Sequence, residues 1–417
     1  MTLRVRHAGT DVGVLAQKER QLEFRYSAQW LDREHPFPLS PRLPLGTQPY
    51  IGEEVLFFFA NLLPEGPVLD ALTRLRRLPR GNTYRLLQAF GRECAGAFDL
   101  ISDDDEAPSR EPSYLPYGET ELRADLADLR NNVPLLYRHG ELRLSLAGAQ
   151  NKIPVRYRDG ALLLPVGGAA STHILKPALQ PETEFGHSIL NEAFCLRLAA
   201  ALGLDVPATT ILEFPEPVLL IERYDRVVDG DDVHRLHQLD FCQLSGVLPD
   251  QKYEQDGGPG FASIFERIDA LSLLPARDRL QLVDWIVYNY LIGNADAHGK
   301  NASMIYDRRG KLRLAQFYDL LSTAYWPRLS DQLAMAIGGE RRPQWIMARH
   351  WQRLCDALAL NVAQLRRRAL QHVERALTSV PVIADELRLD SKHPFVRHLH
   401  TILERRGEWL ETRLVSS

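Results

Sequence analysis

Cysteine is scarce in this sequence of 417 residues, and the four that occur, Cys94, Cys195, Cys242 and Cys355, form no CxxC pair. That argues against a zinc ribbon or a dense disulfide framework and fits a reducing compartment. Long apolar runs are missing too. The longest, "VLFFFANLL", falls well short of the ~20 residues that cross a bilayer, so no membrane contact is expected. The first residues, "MTLRVRHAGTDVGVLAQ", lack the continuous apolar stretch of a signal peptide, and a cytoplasmic location is expected. Positive charge is not in excess either. A formal net charge of −4 and a pI of about 6.4 leave no global basic field to hold nucleic acid unaided. Any DNA contact would need a local patch or a basic partner. There is no repeat at a solenoid period, and no G-x-x-x-x-G-K-[ST], which excludes a Walker phosphate loop.

What remains is a globular composition, 45% hydrophobic and 25% charged, able to bury a sizeable core. Residues 1–101 read as short antiparallel strands followed by helices. "SDDDEAPSREPSYLPYGE" has no period, is acidic and carries prolines, so 102–119 is expected to be a linker. From 120 to 225 the pattern is mixed. "ELRLSLAGAQNKIPVRYRDGALLLPV" reads strand, loop, strand, Asp-Gly turn, strand, and "STHILKP" as a further strand. "FGHSILNEAFCLRLAAALGL" predicts a helix ending at Gly203, and "ATTILEF" and "PVLLIERYDRV" two more strands. Residues 226–417 are mostly helical. A strand-rich piece followed by a helical one predicts a two-lobed α+β unit, with a ligand cleft expected between its lobes.

The polar residues gather in "NYLIGNADAHGKNASMIYD" (289–307), where Asn294, Asp296, His298, Lys300 and Asn301 follow an apolar helix. A hairpin comes next, then Asp319 in "FYDLLS". Helix, loop with D-x-x-x-x-N, hairpin and a second Asp is the order of a protein kinase. There the first Asp accepts or orients the acceptor hydroxyl, and the Asn and second Asp hold Mg²⁺. Carboxylate and amide oxygens are the hard ligands that Mg²⁺ takes, and phosphoryl transfer is mostly positioning and charge neutralisation. Lys300 can neutralise the transferring phosphate, and His298 can orient Asp296 or touch a phosphate. A lone Asp here would mean only a solvated loop capping two helices; the grouping favours kinase chemistry. A metal-hydrolase site is a weak reading, because no H-x-x-x-H lies nearby.

Upstream, the remaining kinase parts occur in order. "SLAGAQNK" (145–152) joins two expected strands, with small Ala147, Gly148 and Ala149, and then Gln150, Asn151 and Lys152, as a candidate phosphate loop. Lys176 ends a strand, and Glu192 stands sixteen residues on (192 − 176) in the next helix, a candidate Lys–Glu pair. Glu222, Arg223 and Tyr224 stand where a strand breaks into charge, a candidate adenine hinge. Singly, each has a bland reading: a connecting loop, a surface lysine, a strand end. Their order carries the reading. "PDQKYEQDGGPGF" (249–261) is expected to be a mobile loop, and the arginines of "AQLRRRALQHVERAL" a solvated face.

These segments resemble the HipA family of serine/threonine-kinase toxins from type II toxin–antitoxin modules. The resemblance rests on "GRECAGAFDL", "SLAGAQNK", "THILKP", "NEAFCLRLA", "ERYDR", "DFCQLSG", "KYEQDGGPG", "IGNADAHGKN" and "FYDLLS", with "FFANLLPEG" matching the N-terminal subdomain. It implies a small β-rich N-terminal subdomain on a core related to protein and lipid kinases, with a mostly helical C-terminal lobe, and ATP and Mg²⁺ as cofactors. It further implies Asp296 as the catalytic acidic residue, helped by His298 and Lys300, with Asn301 and Asp319 as metal ligands. Residues from Ala147 to Lys152, Lys176, Glu192, Glu222 to Tyr224 and Tyr318 would contact ATP. Ser145 falls where the family is phosphorylated; a phosphate there would add about −1.5 to −2 charges beside those of ATP, ejecting the loop and silencing the kinase. Implied partners are a HipB-type helix-turn-helix antitoxin, operator DNA mainly through that antitoxin, and a protein substrate, an aminoacyl-tRNA synthetase in the best-studied members. Two other functions fit the residues: a catalytically weak, nucleotide-sensing co-repressor scaffold, and a small-molecule kinase.

Overall fold

Alternating apolar residues set the first sheet. In Thr2–His7, Leu3 and Val5 turn inward, and in Gln21–Tyr26, Leu22, Phe24 and Tyr26 do the same, the period of a half-buried strand. With Thr10–Lys18, Tyr50–Ile51 and Phe98–Ser102 they form an antiparallel sheet in the order Tyr50–Ile51, Gln21–Tyr26, Thr10–Lys18, Thr2–His7, Phe98–Ser102. Gly13 lets the backbones close at its centre: a Cβ there would lie 2.3 Å from the Arg25 carbonyl oxygen. The apolar run noted above forms the helix Glu53–Ala60, whose Phe58 and Phe59 are fully buried. Pro64 lies in the break before the next helix, Gly66–Arg76.

This computed structural model describes residues 2–91, 96–102, 111–130, 152–179, 183–213 and 215–415. The chain divides into two units, one of Met1–Pro177, Ile211–Asp250 and Ile305–Lys311, the other of Ala178–Thr210, Gln251–Met304 and Leu312–Ser417.

The first unit holds a second antiparallel sheet, in which Ser113–Pro116, Ala161–Val166, Ile153–Arg158, His173–Pro177 and Val218–Glu222 are neighbours in that order. The Asp-Gly turn closes the Ile153–Arg158 and Ala161–Val166 hairpin as expected, with Asp159 at φ +51° and Gly160 at φ +80°. The helix Glu119–Arg130 supplies Leu122, Leu126 and Leu129 to a core with Ile153, Val155, Leu164, Leu175, Val218 and Leu220. The stretch read as a linker needs correction. Ser113–Pro116 is a strand pairing Leu115 with Leu164. As an edge strand with both ends exposed it shows no alternation to read. A further hairpin, Arg226–Asp229 with Asp232–Arg235, was not expected.

The second unit is built on helices Ser188–Leu202, Phe261–Leu271, Pro275–Ile292, Ala348–Ala357, Val362–Glu386 and Pro394–Val415. Arg368, one of the arginines expected to be solvated, donates from Nε to Asp284 at 2.8 Å, and His372 Nε2 lies 2.8 Å from the same carboxylate. That cluster, in which Asp284 and His372 are buried and Arg368 is partly exposed, ties Val362–Glu386 to Pro275–Ile292. Among the described residues no helix is long and apolar enough to cross a membrane.

Candidate functional site

The helix Pro275–Ile292 stops at Gly293, in the left-handed region at φ +71°. Its amide and that of Asn294 turn back on the helix, to Tyr290 O at 3.3 Å and Asn289 O at 2.9 Å. Only glycine suits this corner: a Cβ would lie 2.6 Å from Ala324 Cβ and 3.0 Å from Arg406 Nε. The next turn is held from both sides. Ala295 N–H donates to Thr323 Oγ1 at 2.7 Å, and that hydroxyl donates to Gly293 O at 2.9 Å.

Asn294 fixes the loop from beneath. It is 1% exposed. Its Oδ1 accepts from Asp296 N–H at 3.1 Å, and its Nδ2 donates to Asn289 Oδ1 at 2.8 Å and to Asp319 O at 3.5 Å. One buried amide thus links the loop bearing Asp296 to the backbone of Asp319. Asn301 closes the turn by donating from Nδ2 to Asp296 O at 2.9 Å. Its amide nitrogen is committed to the loop, and Oδ1 is the atom with coordinating capacity. Asp319 adopts φ +52°, a left-handed conformation uncommon outside glycine and found at strained functional turns. Asp296, Asn301 and Asp319 therefore share one framework in the second unit.

The Asp296 side chain remains 48% exposed. Its Oδ1 accepts a hydrogen bond from Tyr253 Oη at 2.6 Å. His298 does not orient it: Nε2 stands 3.9 Å from Oδ1, beyond hydrogen-bond reach. Burial pushes the His298 imidazole down to about 3, with Lys252 and Lys300 adding to the effect and Asp319 opposing it. Burial therefore favours the neutral imidazole here. Lys300 is 8% exposed in the 3₁₀ turn Gly299–Asn301. Tyr318 uses its hydroxyl inside the protein, donating to Lys300 O at 2.6 Å and meeting Ser303 Oγ at 2.7 Å.

Tyr253 was missed in the sequence, where its segment reads as a mobile loop. The structure corrects that reading. The segment makes two 3₁₀ turns, Pro249–Gln251 and Glu254–Asp256. Glu254 N–H donates to Ala334 O at 3.2 Å and its carboxylate accepts from Ala336 N–H. Close packing accounts for two of the glycines: a Cβ on Gly258 would lie 2.5 Å from Gln251 O, and one on Gly260 2.5 Å from Glu254 Oε1.

The first unit carries the other candidates. Lys176 pairs with Leu219 in the sheet and is 5% exposed. Strand alternation turns it to the face opposite Leu175, which packs under the covering helix. Lys152 directly precedes Ile153–Arg158. At the expected hinge, Glu222 is exposed but Arg223 is 6% exposed and fully engaged. It meets Asp225 at 2.9 and 2.7 Å and Ser171 Oγ at 3.1 Å, and its amide donates to Thr172 O at 2.9 Å. Its side chain and N–H are thus committed within the protein. Tyr224 donates its hydroxyl to Gln238. Burial pushes the Asp225 carboxyl up, but Arg223 and Arg226 override it and hold it at about 2. Glu192 lies in the second unit, 5% exposed on Ser188–Leu202. Ser145 and Ala147, Gly148, Ala149, Gln150 and Asn151 lie outside the described residues.

A helix, polar loop and hairpin bearing Asp296, Asn301 and Asp319, in a chain that also contains a strand-rich unit with a buried lysine, define a kinase-like α+β protein. The family model of the HipA N-terminal domain matches residues 3–101, and that of the HipA-like C-terminal domain residues 144–381. The chain belongs to the HipA family. It is 31% identical over 411 residues to the serine/threonine-protein kinase toxin HipA of Shewanella oneidensis, covering 92% of this chain and 89% of that one. It is 39% identical over 367 residues to the putative kinase Y4mE of Sinorhizobium fredii, covering 81% and 82%. A solved complex of Shewanella oneidensis HipA, HipB and operator DNA superposes with a TM-score of 0.84 at 28% identity, covering 100% of both chains.

Proposed function

We propose that this chain is an ATP-dependent serine/threonine-protein kinase toxin with a protein substrate. The observation that carries the reading is the half-exposed Asp296 carboxylate, fixed on the same framework as Asn301 and Asp319. Asp296 orients the acceptor hydroxyl and takes its proton as the oxygen bonds to the γ-phosphorus and the bond to ADP breaks. Lys176 and Lys300 supply charge toward the phosphates, and the phosphate loop runs from Ala147 to Lys152. His298 stands beside Asp296 as a further part of the proposed site.

The residues fit Mg²⁺ in the manner of a nucleotide-bound ion. Among the described residues no group of three or more His, Cys, Asp or Glu could hold a metal alone. Asn301 Oδ1 and the Asp319 carboxylate offer two hard oxygens, and Mg²⁺ commonly takes one or two protein oxygens together with substrate phosphates and water. When bound, the ion supplies charge neutralisation on the transferring group.

The Shewanella complex of HipA, HipB and operator DNA supports a HipB-type antitoxin as partner; operator DNA would be held mainly through that antitoxin, in keeping with the negative net charge of this chain. Phosphorylation of Ser145 would act as the off switch, and an aminoacyl-tRNA synthetase is the proposed substrate, its modification leading to growth arrest in the cytoplasm. Phosphoproteomics of cells expressing the wild type or Asp296→Ala tests the reading. A phosphosite on a translation protein, and one at Ser145, should be present with the wild type and absent with the variant. Identical phosphoproteomes with unchanged toxicity would sink it in favour of a co-repressor scaffold, whereas label on a metabolite would select a small-molecule kinase.

A further inference from the structure

A carboxylate that serves as catalytic base must present one oxygen to the acceptor, and Asp296 hangs from a loop with its side chain half in solvent. The loop contacts described above reach its backbone: Asp296 N–H is held by Asn294, and Asp296 O by Asn301 Nδ2 and His298 N–H at 2.8 Å. Tyr253 reaches the carboxylate itself, through its 2.6 Å hydrogen bond to Oδ1. Its ring stands edge-on to buried His298, centroids 5.2 Å apart and planes at 84°.

The phenol is itself anchored from behind. Tyr253 O accepts from Asp256 and Gly258 N–H, both at 2.9 Å, and Glu254 ties the segment to Ala334 and Ala336. The geometry points to Tyr253 as a positioning residue that engages Oδ1 of Asp296 and helps to hold the carboxylate toward the acceptor hydroxyl. The inference rests on the kinase reading and deepens it: the glycine-rich segment is a fixed buttress of the base. A different role is imaginable for the same contact, because the phenol could occupy the acceptor's own place as a plug. The two differ in sign. Loss of a buttress slows transfer; loss of a plug speeds it.

The test follows self-labelling of the full chain from γ-labelled ATP and Mg²⁺ at increasing ATP, with wild type and Tyr253→Phe. The variant keeps the ring and removes one hydrogen bond to a charged acceptor. The maximal rate should fall roughly ten-fold, with half-saturating ATP changed by less than about two-fold and the melting midpoint retained. Tyr253→Leu should be no faster than Tyr253→Phe. A Phe variant as fast as the wild type, or faster, overturns the proposal. A slower variant whose loss matches its loss of folded protein or of ATP affinity overturns it too, leaving a structural role. A wild type that never labels itself sinks the kinase reading, and this proposal with it, before any variant is compared.

Discussion

Asn294 shows how much a site can depend on a residue with no part in the chemistry. Its buried amide accepts from Asp296 N–H and donates to Asn289 Oδ1 and Asp319 O. Asn294→Ala would leave the Asp296 amide and Asn289 Oδ1 without those bonds. A buried polar group so orphaned costs about 1–3 kcal/mol, and denaturant unfolding should register a loss of that order. Because the same amide connects the loop to Asp319, the phosphoryl-transfer rate should fall by about 10²-fold, the cost of a small misplacement at a reacting centre. Asp296→Asn makes the complementary case. It keeps the shape and removes the proposed base, so labelling should drop by 10²-fold or more, roughly what general-base catalysis contributes, while nucleotide binding stays near wild type. Asp296, Asn301 and Asp319 were singled out in the sequence because few residue types serve as hard ligands or bases and their order is restrictive, and the structure sets them on one hydrogen-bonded framework. Tyr253 could not be. Its hydrogen bond to Asp296 spans 43 positions, and no spacing rule joins a tyrosine in a glycine-rich turn to a carboxylate that far away.

At the scale of elements, the helix Pro275–Ile292 delivers the site and Gly293 lets it end there. Gly293→Ala would place a Cβ 2.6 Å from Ala324 Cβ at φ +71°, combining a clash with a left-handed alanine. A cost of at least about 2 kcal/mol is expected, visible as a lower denaturation midpoint with an unchanged slope. The turns show what local sequence can and cannot tell. Asp159-Gly160 was legible because apolar strands flank it. Gly230-Asp231 closes an equally regular hairpin, with Asp229 paired to Asp232, but sits in "RVVDGDDVHR", where charge conceals a ribbon with no core side. Ser113–Pro116 stayed hidden because an edge strand needs no apolar period. The glycines of 257–260 suggested mobility, yet Gly258 and Gly260 answer to packing, which only the tertiary neighbours reveal.

For the whole molecule, buried histidines couple stability to acidity in both units. His237 in the first unit is 2% exposed, stacks on Tyr306 at 5.3 Å and meets Leu39 O through Nε2 at 2.7 Å. Burial pushes it down to about 3, and His298 in the second unit is held at about 3 for the same main reason. Unfolded, each returns to the ordinary value near 6.5. The sign follows from proton uptake. Above pH 6.5 both states leave these rings neutral and stability is complete. As pH falls below 6.5 the unfolded chain binds protons that the native chain refuses, so stability is lost progressively toward pH 3. At pH 5 each ring should cost on the order of 2 kcal/mol, acting before the carboxylates begin to titrate. Thermal melts between pH 8 and 5 should therefore show a midpoint that starts to fall near pH 6.5. His237→Phe should flatten part of that fall, since phenylalanine keeps the stack on Tyr306 and has no proton to gain. A midpoint constant down to pH 5 would mean that these rings accept protons in the folded state. His298 would then be free to carry charge beside Asp296, and the pH profile of labelling would show a limb near 6.5.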